Sequence, residues 1–258
     1  MDNRSFRKAV HNPFRIKMDQ IIHKYCGTFN DVRMRYRDDV FLTITGLGNA
    51  IALYYALVAS PADVEMGDLV RILYIHVPVA AITYLTLLVS MLTGILFLSR
   101  RSPKYDLVSE SAALLGLVYG SVTLVTGSIW ANATWGVYWN WDPRETTTLI
   151  LWLAYVGYFF LRMSVEDPDR RAYVAAAFNV LAFLTVPLSY VSFTLWPSLH
   201  PKLTSDGTLG LTTPMVEALI LSVSAAFLLY IWLMRRTYTL RLRALQLETA
   251  LEERRIAA

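Results

Sequence analysis

The chain has 258 residues, of which 55% are hydrophobic and 17% are charged. Because soluble domains carry about 25% charged residues, this composition argues against a soluble domain and favours a membrane protein. The chain has one cysteine, Cys26, which excludes an internal disulfide and a paired-cysteine redox or zinc site.

Six apolar stretches follow one another along the chain, and a helix needs about 20 such residues to cross a bilayer. They predict an all-α integral membrane bundle of six transmembrane helices within residues 40–234. A basic N-terminal arm, 1–39, and a polar C-terminal tail, 235–258, flank it. The tail is either a solvated or interfacial helix or a docking site for a partner. The predicted spans are 40–60, 73–99, 108–130, 145–162, 172–194 and 212–234.

The basic residues are distributed unequally between the two sides of these spans. Of the 24 Lys and Arg residues, only Arg71, Arg144 and Lys202 fall on the side opposite the termini. The positive-inside rule therefore predicts that both termini are cytoplasmic. The net charge of +4 reflects this topology, so we do not expect nucleic-acid binding, and the basic arms are suited to anionic lipid headgroups.

Small residues and one proline predict details of helix packing. Gly116 and Gly120 form a Gly-x-x-x-Gly pair in the third span, a spacing that lets helices approach closely. Pro187 in the fifth span removes a backbone hydrogen bond and predicts a kink.

Two histidines fall on the predicted outer side, His76 at the start of the second span and His200 after the fifth. A single histidine near a membrane end is usually structural or interfacial. Two on one side are candidates for a pair of metal ligands, and neutral imidazole is a common axial ligand of haem iron. Both interpretations stay open on spacing alone.

The tryptophans are concentrated on the same side. Four of the seven lie within twelve residues and a fifth lies near His200: Trp130, Trp135, Trp139, Trp141 and Trp196. An aromatic belt at the membrane interface would spread its rings over both interfaces. We therefore predict that residues 130–142 form a loop with a flat apolar platform for a large planar ligand. A protein-binding surface is the alternative.

The end of this loop carries a helix-start pattern. Asp142 at the N-cap, Pro143 at the first helical position and Glu145 at the third are typical of a helix N-terminus. We predict that Asp142 holds the loop to the fourth span, a direct ligand contact being the lesser possibility.

The outer cations have two interpretations. Arg71 and Arg144 either bind carboxylates of a ligand, such as haem propionates, or pair with Glu65, Asp68, Asp142 or Asp206. For Lys202 simple pairing is favoured.

Three segments of the sequence resemble the haem exporter protein C (CcmC) family of cytochrome c maturation. Residues 135–142 (WGVYWNWD) resemble its tryptophan-rich WWD-type signature, and residues 71–78 (RILYIHVP) and 196–201 (WPSLHP) resemble its two flanking histidine motifs. The likeness covers about residues 40–234. Residues 143–146 (PRET) depart from it and resemble the related cytochrome c synthase branch (CcsA), which attaches haem directly to apocytochrome c.

The resemblance implies a haem-transfer protein of the bacterial or archaeal plasma (inner) membrane. It implies transient, non-covalent b-type haem on the outer face, with His76 and His200 as axial ligands and the tryptophan-rich loop as the binding surface. The haem would be delivered to a membrane-anchored haem chaperone (CcmE), beside an ABC transporter (CcmA and CcmB) and a small membrane subunit (CcmD). We find no evident catalytic nucleophile.

Two other classes of protein compete with this interpretation. A membrane electron-transfer cytochrome would place histidine pairs at different depths, whereas both candidates here lie at one side. A permease would place polar groups near the bilayer midplane, and the spans offer only Asn49, Asn179 and hydroxyl residues.

Overall fold

The computed structural model describes residues 32–64, 66–201 and 210–257. Six helical segments in this part of the chain are long and apolar enough to cross a membrane, which confirms the predicted all-α bundle. The helices are α1, Val32–Tyr54, followed by a π-helical turn, Tyr55–Ala59; α2, Val70–Arg100; α3, Pro103–Trp135; α4, Pro143–Ser164; α5, Pro168–Ala182; α6, Thr185–Leu195; and α7, Thr213–Ala257.

The fifth span is divided into α5 and α6 at Phe183 and Leu184. Pro187 has no N–H to donate to the carbonyl of Phe183, four residues earlier. The N–H of Val186 donates to that carbonyl instead, at 2.9 Å, which tightens the turn. The disturbance predicted from Pro187 thus takes the form of a break between two helices.

The last helix is longer than the predicted span. α7 has 45 residues and runs from Thr213 to Ala257, so the tail after residue 234 continues the transmembrane helix. Its helical character is confirmed. Arg235, just past the predicted span, lies 2.9 Å from Asp38 at the start of the first span. The first and last spans therefore meet at the end of the bundle that is predicted to be cytoplasmic.

Small residues bring α2 and α3 close together. Leu87 of α2 occupies the space that a Cβ at Gly116 would need, and a Cβ at Gly120 would lie 3.6 Å from Thr83. Ser90 Oγ donates to the Ser109 carbonyl at 2.7 Å. The predicted packing role of the glycine pair is confirmed.

A buried asparagine joins four spans in the interior. The Asn179 amide nitrogen donates to Ser90 Oγ at 2.8 Å and to Ser109 Oγ at 3.0 Å, and its oxygen accepts from the Tyr155 hydroxyl at 3.0 Å. Asn49 donates to the Ala225 carbonyl at 3.1 Å. Because protein groups take up these amide hydrogen bonds, both asparagines act as packing contacts, which argues against a polar permeation path.

Candidate functional site

His76 projects from the second turn of α2 against α3. Its Nδ1 lies 2.9 Å from Thr126 Oγ1. A Cβ at Gly127, the next residue of α3, would lie 3.2 Å from His76 Cε1. The missing side chain at Gly127 therefore leaves room for the imidazole to lie directly against α3.

His200 lies at the same end of the bundle, in the segment that follows α6. Its Nδ1 lies 3.0 Å from the Pro201 carbonyl oxygen, and its backbone N–H donates to Ser198 Oγ at 3.1 Å. The imidazole lies 6.0 Å from the Phe193 ring, with 34° between the two planes. Both histidines are partly buried, and neither Nε2 atom hydrogen-bonds another described residue.

Asp142 connects the start of α4 to the segment that carries His200. As the N-cap of α4, its carboxylate accepts from the Arg144 N–H at 2.8 Å, so the predicted capping role is confirmed. The same carboxylate accepts from the Ser198 hydroxyl at 2.8 Å and from the Leu199 N–H at 2.7 Å. One buried side chain thus ties together the tryptophan-rich region and the position of His200.

The boundary predicted for the tryptophan-rich loop is wrong. α3 continues to Trp135 and ends at Gly136, whose φ of 77° is left-handed, so Trp130 and Trp135 lie on the helix. No glycine or proline between Trp130 and Gly136 would end a helix. Glycine readily takes the left-handed conformation that ends one. The loop proper therefore comprises residues 136–142.

The indole rings form perpendicular pairs. The ring centroids of Trp130 and Trp135 lie 5.1 Å apart at 83°, and those of Trp139 and Trp141 lie 5.9 Å apart at 89°. Edge-to-face packing brings a positive ring edge onto a negative ring face. Within each pair the two rings are therefore not coplanar, so the four rings do not form the predicted flat platform.

Trp141 is held in an exposed and strained position. Its φ is 63°, which is costly for a residue with a side chain, and the residue is 72% exposed. On one side, Asn140 Oδ1 accepts from the Asp142 N–H at 2.9 Å. Glu145 in turn accepts from the Asn140 N–H at 3.2 Å. The start of α4 therefore fixes the backbone on either side of the Trp141 ring. Trp196, which follows α6, is also exposed.

The two described outer arginines have different surroundings. Arg71 Nε pairs with Asp68 at 3.0 Å, which agrees with simple pairing. Arg144 donates to the Tyr190 carbonyl at 2.7 Å and stacks over Phe193 at 5.0 Å. Among the described residues, no carboxylate lies within ion-pair distance of the Arg144 side chain. Glu65, Lys202 and Asp206 lie outside the described residues.

The surroundings of His200 predict its protonation state. Burial lowers the pKa of His200 below its ordinary 6.5, and the positive charge of Arg144 lowers it further, against opposing contributions from the Pro201 carbonyl and Asp142. A lowered pKa keeps the imidazole neutral at neutral pH, and the neutral form is the one that binds metals. His200 becomes protonated only when the pH falls through its lowered pKa.

We therefore expect NMR of the ¹⁵N-histidine-labelled protein to give a His200 midpoint below 6.5. Arg144→Gln should raise that midpoint because it removes a neighbouring positive charge. Arg71→Gln, a matched loss of an outer arginine, should leave it in place. If the titration midpoint of His200 is the same in Arg144→Gln and Arg71→Gln, this account is contradicted.

Three polar residues of the site were not predicted from the sequence: Thr126, Asn140 and Ser198. Thr126 lies four residues before Trp130, so helical periodicity would place it on the same face. Ser198 precedes His200 by two residues, and Asn140 stands between two tryptophans. Proximity along the chain was the available signal, but it does not identify their partners.

The architecture of the described residues, with six spans, and this site define a helical membrane protein that brings two histidines and a tryptophan-rich segment to one end of the bundle. Residues 26–255 match the model of the family described as "Heme exporter protein C". Because this match covers most of the chain, the protein belongs to that family.

Individual relatives carry the same name. "Heme exporter protein C" of Rhodobacter capsulatus is 30% identical over 78% of this chain and 84% of its own length. The Haemophilus influenzae protein of that name is 31% identical over 78% of this chain and 82% of its own. That of Bradyrhizobium diazoefficiens is 36% identical, but over only 58% of this chain and 57% of its own length. The chain thus covers less than two thirds of this last relative.

Proposed function

We propose that this protein binds haem at the outer end of the bundle, with His76 and His200 as axial ligands, and transfers it during cytochrome c maturation. The observation that carries the proposal is the placement of both histidines at one end, each with Nδ1 in a hydrogen bond and Nε2 free of described partners. Haem binding by two such nitrogens is non-covalent and b-type, and suits a group that is later released.

The other residues of the site fit the remaining parts of a haem. The tryptophans offer apolar ring faces and edges for the macrocycle. Arg144 keeps a guanidinium that is not neutralised by a described carboxylate, and guanidinium pairs well with carboxylates such as propionates. Arg71 is less suited because Asp68 already neutralises it. Bound haem would supply the vinyl groups for attachment to an acceptor, and the chain would supply ligands, orientation and an apolar wall.

The acceptor is proposed to be a membrane-anchored haem chaperone (CcmE). The protein would act in a bacterial or archaeal inner membrane, with both termini cytoplasmic, beside ABC transporter subunits (CcmA and CcmB) and a small membrane subunit (CcmD). Direct attachment of haem to an apocytochrome c is the second candidate. Residues 143–146 (PRET) favour it, because they resemble the cytochrome c synthase branch (CcsA).

His76→Ala and His200→Ala should each abolish the six-coordinate, low-spin absorbance spectrum of the haem-loaded protein, because each removes one axial nitrogen. His23→Ala, in the N-terminal arm, is the matched control and should retain that spectrum. If both outer variants keep a low-spin spectrum, the ligand assignment is wrong.

Crosslinking of the haem-loaded protein to co-expressed acceptors separates the two candidate functions. Trapping of the chaperone supports the proposal. Trapping of an apocytochrome with a Cys-x-x-Cys-His motif instead supports direct attachment. Rapid reduction of the bound haem by a quinol would favour an electron-transfer cytochrome over both.

A further inference from the structure

The hydroxyl group of Thr126 has three polar neighbours. Besides His76 Nδ1 at 2.9 Å, it lies 2.8 Å from the carbonyl oxygen of Val122 and 3.3 Å from that of Thr123. A carbonyl can only accept a hydrogen bond, and a threonine hydroxyl has one hydrogen to donate. That hydrogen is therefore used within α3, in the usual bond to the carbonyl four residues earlier.

Towards His76, the Thr126 oxygen consequently acts as an acceptor. The hydrogen between the two residues must then belong to His76 Nδ1. In a neutral imidazole, a hydrogen on Nδ1 leaves the lone pair on Nε2. Thr126 thus selects one of the two tautomers of His76.

The second histidine has the same arrangement with a different partner. His200 Nδ1 lies 3.0 Å from the Pro201 carbonyl, which can only accept, so this nitrogen also carries the hydrogen. Both histidines therefore present Nε2 as the lone-pair nitrogen. A partner that holds the opposite ring nitrogen fixes the tautomer and ring orientation of a metal-binding histidine.

We propose that Thr126 is a positioning residue, which fixes His76 as the Nδ1–H tautomer and aims its Nε2 lone pair into the site. Gly127 contributes the space, since a Cβ there would press on His76 Cε1 at 3.2 Å. The tautomer follows from the hydrogen bonds alone, whereas its use for iron binding rests on the proposed function.

The first measurement uses the haem-free protein, labelled with ¹⁵N-histidine in lipid bilayers. The four histidines are assigned by single substitutions, and ¹⁵N chemical shifts report which ring nitrogen carries the hydrogen. The wild type and Thr126→Ser should both show His76 with hydrogen on Nδ1. Thr126→Val keeps the side-chain shape but removes the acceptor, and should shift His76 to the Nε2–H form that free histidine favours in water.

Thr123→Val is the matched control on the preceding turn of α3. Thr123 also bonds back along the helix, to the Tyr119 carbonyl at 2.9 Å, but its other partner is Thr83. This variant should leave the His76 tautomer unchanged. Retention of the Nδ1–H form in Thr126→Val would overturn the proposal.

Haem titration of the same variants tests the link to function. Thr126→Val should weaken haem binding by about 10–100-fold, as expected for loss of a partner that orients a ligand, whereas Thr126→Ser should stay near the wild type. If Thr126→Val shifts the His76 tautomer but the wild-type protein binds no haem, the proposed function is refuted. The tautomer assignment is then still supported. A shift with unchanged haem affinity in Thr126→Val would overturn the role assigned to Thr126 in haem binding.

Discussion

Asp142→Ala is expected to lower the free energy of unfolding by about 2–4 kcal/mol, because it removes a helix cap and hydrogen bonds to a charged group together. Asp142 is 6% exposed. Its loss would leave the Leu199 N–H without its present acceptor and free the segment that carries His200. We therefore also expect weaker haem binding, by about tenfold or more for a misplaced ligand. Thermal unfolding in detergent and haem titration measure the two effects.

Asp167→Ala is a matched control at the other end of the bundle. Asp167 also caps a helix that has proline at its first position, and accepts from the Arg170 N–H at 2.7 Å, but it is exposed and hydrogen-bonds no second segment among the described residues. Asp167→Ala should lower the free energy of unfolding only by the contribution of a helix cap, about 0.5–2 kcal/mol. It should not change the haem affinity. Equal effects of the two substitutions on both measurements would contradict the connecting role of Asp142.

The two roles of Asp142 illustrate what the sequence can predict. Capping depends on residues within three positions, and the order Asp142, Pro143, Glu145 indicated it correctly. The bonds to Ser198 and Leu199 cross more than 50 residues of chain. No local pattern specifies which distant segment meets a carboxylate, so this connection required the structure.

The tryptophan-rich segment shows a different limit. Hydropathy predicted a span ending at Trp130 because bilayer thickness sets the length of the apolar run. The helix itself continues until Gly136, because helix formation depends on backbone conformation and not on contact with lipid. The composition predicted that aromatic rings collect near the two histidines, but ring orientation depends on side-chain packing.

The ion network at the opposite end was also hidden from sequence reasoning. Glu110 stands near the start of the third predicted span. In the structure it lies 3.2 Å from Arg162 of α4 and 3.2 Å from Arg241 of α7. Salt-bridge partners on three different helices depend on the tertiary arrangement, which the sequence does not specify locally. The break near Pro187, by contrast, was predictable because its cause is local.

Arg162→Met is expected to lower the free energy of unfolding by about 3–5 kcal/mol. Arg162 forms a bidentate pair with Asp106 of α3, at 2.8 and 2.6 Å, in addition to its contact with Glu110. Its side chain is only 10% exposed and those of the two acids are 11% and 13% exposed. Without the arginine, the poorly hydrated Asp106 carboxylate would lose this ion pair, and Glu110 would keep only its contact with Arg241.

Arg235→Met provides the control, because Arg235 is 59% exposed and pairs with Asp38 at 2.9 Å. An exposed pair contributes about 0–1 kcal/mol, so this variant should unfold close to the wild type. Adding Asp106→Asn to Arg162→Met should recover part of the loss, since it removes one uncompensated buried charge. Recovery identifies charge burial as the cause, whereas an additive loss in the double variant would mean that packing of the Arg162 side chain provides the stability.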